Sequence, residues 1–328
     1  MVVLLGLGGC TTQPRMPPSP PEAGRTRPDA IVATVTVGPM PSQVAVGADA
    51  VWLASWGGGA LLRIDPRTRR VVWRTQVGES QNGPLGVGVG KTAVWVPNFA
   101  DGRLWAFGKH DGRLQRMIDV NGGGGVAVAA AAGKEVLWAV CCGVETDRLH
   151  GRLTRIETAT ARVTARIGLR GNPQGVAVGA GAVWVGDLSN GVWRIDPATA
   201  RVVERISVAA PLALAADSGA LWVATGPTGP TSGGALVRID PAGNQVAARI
   251  PLVGTPADVA AVDGVVWVTQ PDIGELTAVD GASGRITARV PLPGATSVAV
   301  SHDEVWVSSA DAGTLTLVDP GRVRRRTG

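Results

Sequence analysis

The 328-residue chain has no tyrosine, two phenylalanines, three cysteines and three histidines, and lysine occurs only at Lys91, Lys109 and Lys134. Each shortage excludes something. Three cysteines cannot build a disulfide-dense scaffold or a multi-cysteine zinc site. Three histidines, His110, His150 and His302, argue against a metal enzyme built on several imidazoles. No apolar run approaches the roughly 18 residues of a membrane-spanning helix. The 46 glycines follow no strict triplet, which excludes a collagen-like chain. Charged residues make up only 17% against 45% hydrophobic residues, a balance that excludes a disordered chain.

What is present is tryptophan, 11 in all, and seven of them keep time. A short apolar motif recurs at Trp52, Trp95, Trp138, Trp184, Trp222, Trp267 and Trp306, with spacings of 43, 43, 46, 38, 45 and 39 residues. Seven units of this period fill residues 29–328, and a period in this range marks a repeat architecture. Eight residues before the tryptophan stand Val44, Val87, Val176, Leu214, Val259 and Val298. About thirteen residues after it comes an acidic turn, as in RIDPRT at Asp65, RIDPAT at Asp196 and AVDGAS at Asp280, and RIDPAG brings Asp240 to the same turn after a longer loop. Asp followed by Pro suits a type I turn, because the carboxylate bonds the backbone ahead and proline presets φ.

The segments within one repeat are short, valine-rich and bounded by turn residues, so they read as strands. Four are expected per repeat. In the first, strand a is 44–47, strand b carries Trp52, strand c is 60–65 and strand d is 70–77. One such sheet cannot bury both faces, whereas sheets stacked around an axis can. The reading is all-β: a seven-bladed β-propeller of four-stranded blades. The run 30–37 matches strand d but has no strands a to c before it, and the last repeat lacks its own strand d. The N-terminal strand is therefore expected to close the last blade.

The ends carry separate expectations. Residues 1–10, MVVLLGLGGC, resemble a bacterial lipobox, in which Cys10 would be acylated. They have no basic leader and a short apolar core, which a start site upstream of Met1 would explain. Residues 11–28 are rich in proline and polar side chains and read as a disordered tether. One acyl chain holds weakly, so stable membrane attachment needs a second chain or a basic patch. Arg324, Arg325 and Arg326 offer such a patch. The expected address is extracytoplasmic, a cell-envelope lipoprotein, and the expected state a monomer.

The segments VWVTQPDIGELTAVDGASGRITARVPLPGATSVAV (266–300) and VWVGDLSNGVWRIDPATARVVERISV (183–208) resemble YVTN-type, YncE-like propeller repeats, to which streptogramin (virginiamycin B) lyase propellers are distantly similar. The resemblance implies an exported protein that binds or scaffolds. The lyase relatives would imply a histidine base, acidic residues and Mg²⁺ at the channel mouth.

Chain direction puts the b–c and d–a loops on one rim, the usual ligand-binding rim of propellers. His110 and His302 fall on the other. Only His150, in a long loop at 141–151, is expected on the binding rim, and no acid–histidine pair recurs there. The positions just before strand a should line the mouth: Gln43, Gly86, Gly125, Gly175, Ala213, Asp258 and Ser297. Gln174 and Asn172 stand beside them. Trp56, in SWGGG, lies outside the repeated core position and offers an indole for stacking, or folds over a blade edge. Asp101, Asp187 and Asp272 join Asp258 either as ligands for a hard cation or as ordinary turn acids. The candidate binding set is Gln43, Trp56, Gln174, Asp258 and Ser297. No metal or other cofactor is expected.

Adjacent Cys141 and Cys142 would allow a vicinal disulfide in an oxidising compartment; two free thiols are the alternative. Arginines recur on strand d, for example Arg70, Arg74, Arg201 and Arg205, without interleaved aromatics. They read as a solvated edge that discourages strand pairing, not as a nucleic-acid surface. The leading expectation is a non-catalytic module that binds a small molecule or an envelope protein through the b–c/d–a rim. The rival is a metal-assisted lyase or hydrolase acting on a small cyclic or lactone-containing molecule.

Overall fold

A computed structural model gives the architecture. It describes residues 24–78, 83–98, 101–120, 126–132, 136–145, 148–189, 191–229 and 233–324, with the backbone alone at 126–132, 142–145, 148–150 and 324. Cys10 and most of the expected tether lie outside these residues.

Seven antiparallel sheets follow one another along the chain. Blade one pairs Pro41–Val46, Val51–Ser55, Ala60–Asp65 and Arg70–Gln76 in that order. Blades two to six repeat the scheme, with tryptophan-bearing second strands at Ala93–Pro97, Val136–Glu145, Ala182–Asp187, Leu221–Thr225 and Val265–Gln270. Blade seven takes its first three strands, Ala295–Val300, Val305–Ser309 and Thr314–Val318, from the end of the chain. Its outer strand is Ile31–Thr36, antiparallel to Thr314–Val318 in a register that sets Val35 opposite Leu315. The seven-bladed propeller is therefore closed by its N-terminal strand.

The tryptophan period becomes energy between the blades. All seven repeated indoles are at most 2% exposed. Each leaves its own sheet to pack in the next. Trp52 meets Val87, Val94 and Phe107 of blade two. Trp184 meets Leu221, Val223 and Ile239 of blade five. Trp306 of blade seven meets Val44, Leu53 and Leu62 of blade one, which completes the circle. Burying a side chain of this size contributes about 3 kcal/mol, so closure adds a core that an open array lacks.

Arginine supports the same indoles. Strand c sets Arg63 opposite Trp52, Arg155 opposite Trp138, Arg194 opposite Trp184 and Arg238 opposite Trp222. Each guanidinium lies 5.3–6.0 Å from the indole centroid, within cation–π range. Arg194 also donates to Pro241 O at 2.7 Å and to Asn244 Oδ1, tying blade four to the c–d turn of blade five. These arginines sit in the RID and RIE motifs, beside the turn acid. The acid does what its sequence suggested: Asp65 Oδ1 accepts from the Arg67 and Thr68 N–H groups at 2.8 and 3.1 Å, and Asp196 repeats the pattern with Ala198 and Thr199.

Four features depart from the sequence expectation. The stretch read as tether to residue 28 is already on the propeller by Arg25–Thr26, which pair in parallel with Ala288 and Arg289 on the outer edge of blade six. Among the described residues of the tail, Pro320–Arg324 form a short helix that buries Val323. The inner strand of blade two is only Gly88–Val89. The expected loop 141–151 is a long hairpin: Val136–Glu145 pairs with Arg148–Glu157, which places His150 on a strand opposite Gly143. Extending the ladder satisfies backbone groups that a loop would leave to solvent.

Candidate functional site

Strand a does not start cleanly. Its register with strand b shifts between Pro41 and Val44, Pro173 and Gly175, Pro211 and Ala213, and Ala295 and Ser297. These bulges re-aim side chains at the inner ends of the blades. A cavity of about 480 Å³ lies there, on the b–c/d–a rim. Gln43, Trp56, Gln174, Asp258 and Ser297 all line it, from blades one, four, six and seven. Gly175 and Ala213 line it too; Gly86 does not, and Gly125 lies outside the described residues.

One wall is polar and stitched. Asp258 Oδ2 accepts from Ser297 Oγ at 2.6 Å and from the Val298 N–H at 3.1 Å, while Oδ1 accepts from the Val259 N–H at 2.9 Å. Ser297 Oγ in turn accepts from the Val44 N–H at 3.3 Å, and Gln43 Oε1 accepts from the Val87 N–H at 2.8 Å. Asp258, Ser297 and Gln43 occupy one repeat position in blades six, seven and one. Each accepts from the N–H of a valine at the inner edge of the following blade: Val298, Val44 and Val87. A second row runs beside them: the Thr269 hydroxyl is 3.2 Å from Thr296 O, Ser308 Oγ donates to Ser42 O at 2.8 Å, and the Ser42 hydroxyl is 3.0 Å from Pro84 O.

The cavity also has an apolar lining. Leu212 and Leu214 of blade five, Val176, Met40 and Leu85 supply it. Leu214 fits because its neighbours in blade four are glycines: a Cβ would come within 3.1 Å of Leu214 Cδ1 at Gly175 and within 2.6 Å at Gly186. The indole at the rim is placed by backbone. Trp56 and Gly57 N–H groups donate to Met40 O at 3.1 and 3.4 Å, and Gly58 N–H donates to Ser55 Oγ at 3.1 Å. The turn needs its glycines: a Cβ at Gly57 would sit 2.8 Å from Met40 Cβ, and Gly59 has a φ of 56°.

The electrostatics are one-sided. Among the described residues Asp258 is the sole charged one lining the cavity, and it forms no ion pair there. Burial pushes its carboxyl above the ordinary value of 3.8, against the hydrogen bonds from Ser297, Val298 and Val259, which lower it. Gln43 spends its carbonyl oxygen on Val87, leaving its N–H₂ as a donor. Gln174 does the reverse: Nε2 donates to Asn172 Oδ1 at 2.6 Å, leaving the oxygen as an acceptor.

The other acids stay in their turns. Asp187 Oδ1 accepts from the Asn172 and Ser189 N–H groups, Asp101 from the Arg103 N–H and Trp105 Nε1–H, and Asp272 from the Thr255 N–H. None of the three lines the cavity with Asp258. Among the described residues no group of three or more His, Cys, Asp or Glu is placed to hold a metal ion. His302 Nδ1 contacts Asp263 at 2.9 Å in an a–b turn, away from the site. Cys141 is buried, and its Sγ donates to Arg152 O at 3.7 Å. The Cys142 side chain lies outside the described residues, and the expected vicinal pair with it. Met40, Ser42, Leu212, Thr296 and Ala310 were not anticipated as lining residues. For Ser42, Leu212 and Thr296 the signal is the bulge, which turns the position before the expected one inward as well; Met40 and Ala310 come from the flanking d–a and b–c loops.

No family model matches the chain, and no curated protein matches it in sequence. Its fold is that of known propellers. A chain of hydrazine synthase from Kuenenia stuttgartiensis superposes with a TM-score of 0.72 at 17% identity, over 86% of this chain and 96% of that one. A streptogramin B lyase gives 0.70 at 15% identity, over 88% and 97%. BamB from Moraxella catarrhalis gives 0.59 at 14%, over 88% and 99%. At these identities the likeness is one of fold, and fold alone does not carry function.

Proposed function

We propose that this propeller is a non-catalytic binding module of the cell envelope, held by a lipidated Cys10, that takes a small molecule in the cavity of its b–c/d–a rim. One observation carries the reading: residues from six blades converge on one cavity with an apolar lining, a rim indole and a few placed polar groups. That is the usual make-up of a small-molecule site. The volume of about 480 Å³ suits a compact ligand and not a protein segment. The polar groups are committed to holding neighbouring blades, so they supply a rigid surface more readily than a reacting group. The lipobox resemblance of residues 1–10 supports the address.

The test is equilibrium dialysis of the protein against small molecules extracted from envelope fractions, read by mass spectrometry. Ala310→Trp is the control, since Ala310 lines the cavity from a loop outside the repeated core. A compound retained by the native protein and lost by Ala310→Trp supports the reading. Equal retention by both proteins, or none by either, contradicts it.

A further inference from the structure

The cavity has a feature that a general apolar pocket does not need. The chain carries 31 Lys and Arg residues against 26 Asp and Glu, yet among the described residues no Arg, Lys or His lines the cavity. The one charged side chain there is Asp258, and all three groups that bond its carboxylate are neutral: the Ser297 hydroxyl and the Val298 and Val259 N–H groups. Oδ2 is doubly occupied and Oδ1 holds a single donor. A carboxylate accepts about four hydrogen bonds, so Oδ1 has room for another. Leu212 and Leu214, on the inner strand next to that of Asp258, line the same cavity, with Trp56 at the rim.

Resting on the reading of this cavity as a ligand site, we infer that its occupant is a small organic cation: an amine whose ammonium group bonds Asp258 Oδ1 while its hydrocarbon body lies against Leu212 and Leu214 and beneath the Trp56 indole. Three properties converge. A desolvated carboxylate without a counter-charge gains most from a charged donor, and such hydrogen bonds are the strong ones. An indole attracts a cation through its π face. Gln174 Oε1 adds an acceptor and no competing positive charge. An anion would meet Asp258 with no basic residue to offset it. A bare metal ion would find one carboxylate where hard cations need several oxygen ligands. The raised proton affinity of Asp258 agrees with a site that lacks its counter-ion.

The experiment titrates the native protein with a panel of alkyl- and phenylalkylammonium ions, phenethylammonium among them, each paired with the alcohol of the same carbon skeleton, by calorimetry at pH 8. Ammonium ions should bind at least tenfold more tightly than their alcohols. Asp258→Asn should erase that preference while alcohol affinity changes less than threefold. Because Asp258 also stitches blades, Trp56→Leu provides a second arm: it keeps apolar bulk, removes the π face, and should weaken the ammonium ions more than the alcohols. Alcohols binding as tightly as ammonium ions would overturn the cation assignment and leave the cavity reading standing. No binding by either series would overturn both.

Discussion

Ser297 Oγ stands 2.6 Å from Asp258 Oδ2 and 3.3 Å from the Val44 nitrogen, so one hydroxyl links blades six, seven and one. With Gln43 on Val87, the stitches run from blade six through the seam of the ring into blade two. They cross the seam on the innermost strands, at the opposite edge of the blade-seven sheet from the N-terminal strand. Ser297→Ala should cost about 1–3 kcal/mol in urea denaturation, because it strands the buried Val44 N–H and removes a donor from a buried carboxylate. A change within experimental error would remove the stitch from the account of closure.

Deleting residues 29–38 should cost several kcal/mol, since it removes the outer strand of blade seven together with Val37, which is buried beside Trp306. Denaturant melts check this. A truncated protein as stable as the full chain would show that another segment closes the blade.

The tryptophan repeat was legible because a bulky side chain at fixed spacing leaves its period in the sequence, and the seven inter-blade cores follow from it. The rim was legible from chain direction. The bulges at Ser42, Gln174, Leu212 and Thr296 were not, because a register shift depends on how neighbouring blades press together at the axis. The stacking of Arg63 and Arg194 was hidden for another reason. Their place opposite tryptophan is a cross-strand register, whereas the sequence shows only their neighbourhood to the turn acid. Arg25 and Thr26 read as tether because their partners, Ala288 and Arg289, lie more than 260 residues away.

The c–d turns offer a gain in stability. Ala161 and Ala200 hold φ of 56° and 54° at the last position of the turn, where Gly112 and Gly284 stand in blades two and six. An L-residue pays roughly 1 kcal/mol for that left-handed backbone. Ala200→Gly should therefore raise stability by about 0.5–1 kcal/mol in thermal or urea melts, and a loss of stability would contradict it.

Two kinds of carboxylate should pull the pH profile in opposite directions. Backbone hydrogen bonds hold Asp65 and Asp196 below their ordinary value of 3.8, so the stability they contribute is present above that value and lost as pH falls through the folded one. Asp258 is raised, so its contribution is present below 3.8 and lost as pH rises through its folded value. Urea midpoints measured from pH 3 to 8 should show Asp196→Asn flattening the acid limb. Asp258→Asn should flatten the decline above 3.8. The reverse assignment of the two limbs would contradict the burial of Asp258.

The most direct measurement uses the scarcity of methionine. The chain has four, Met40 lines the cavity, and Met117 is exposed on the outer strand of blade two. With ¹³C-methyl methionine, titration of phenethylammonium should move the Met40 methyl resonance saturably and leave Met117 in place. Ala310→Trp should abolish the shift. A saturable shift at Met117 with Met40 unmoved, or a Met40 shift that survives Ala310→Trp, would contradict a ligand site at the rim cavity.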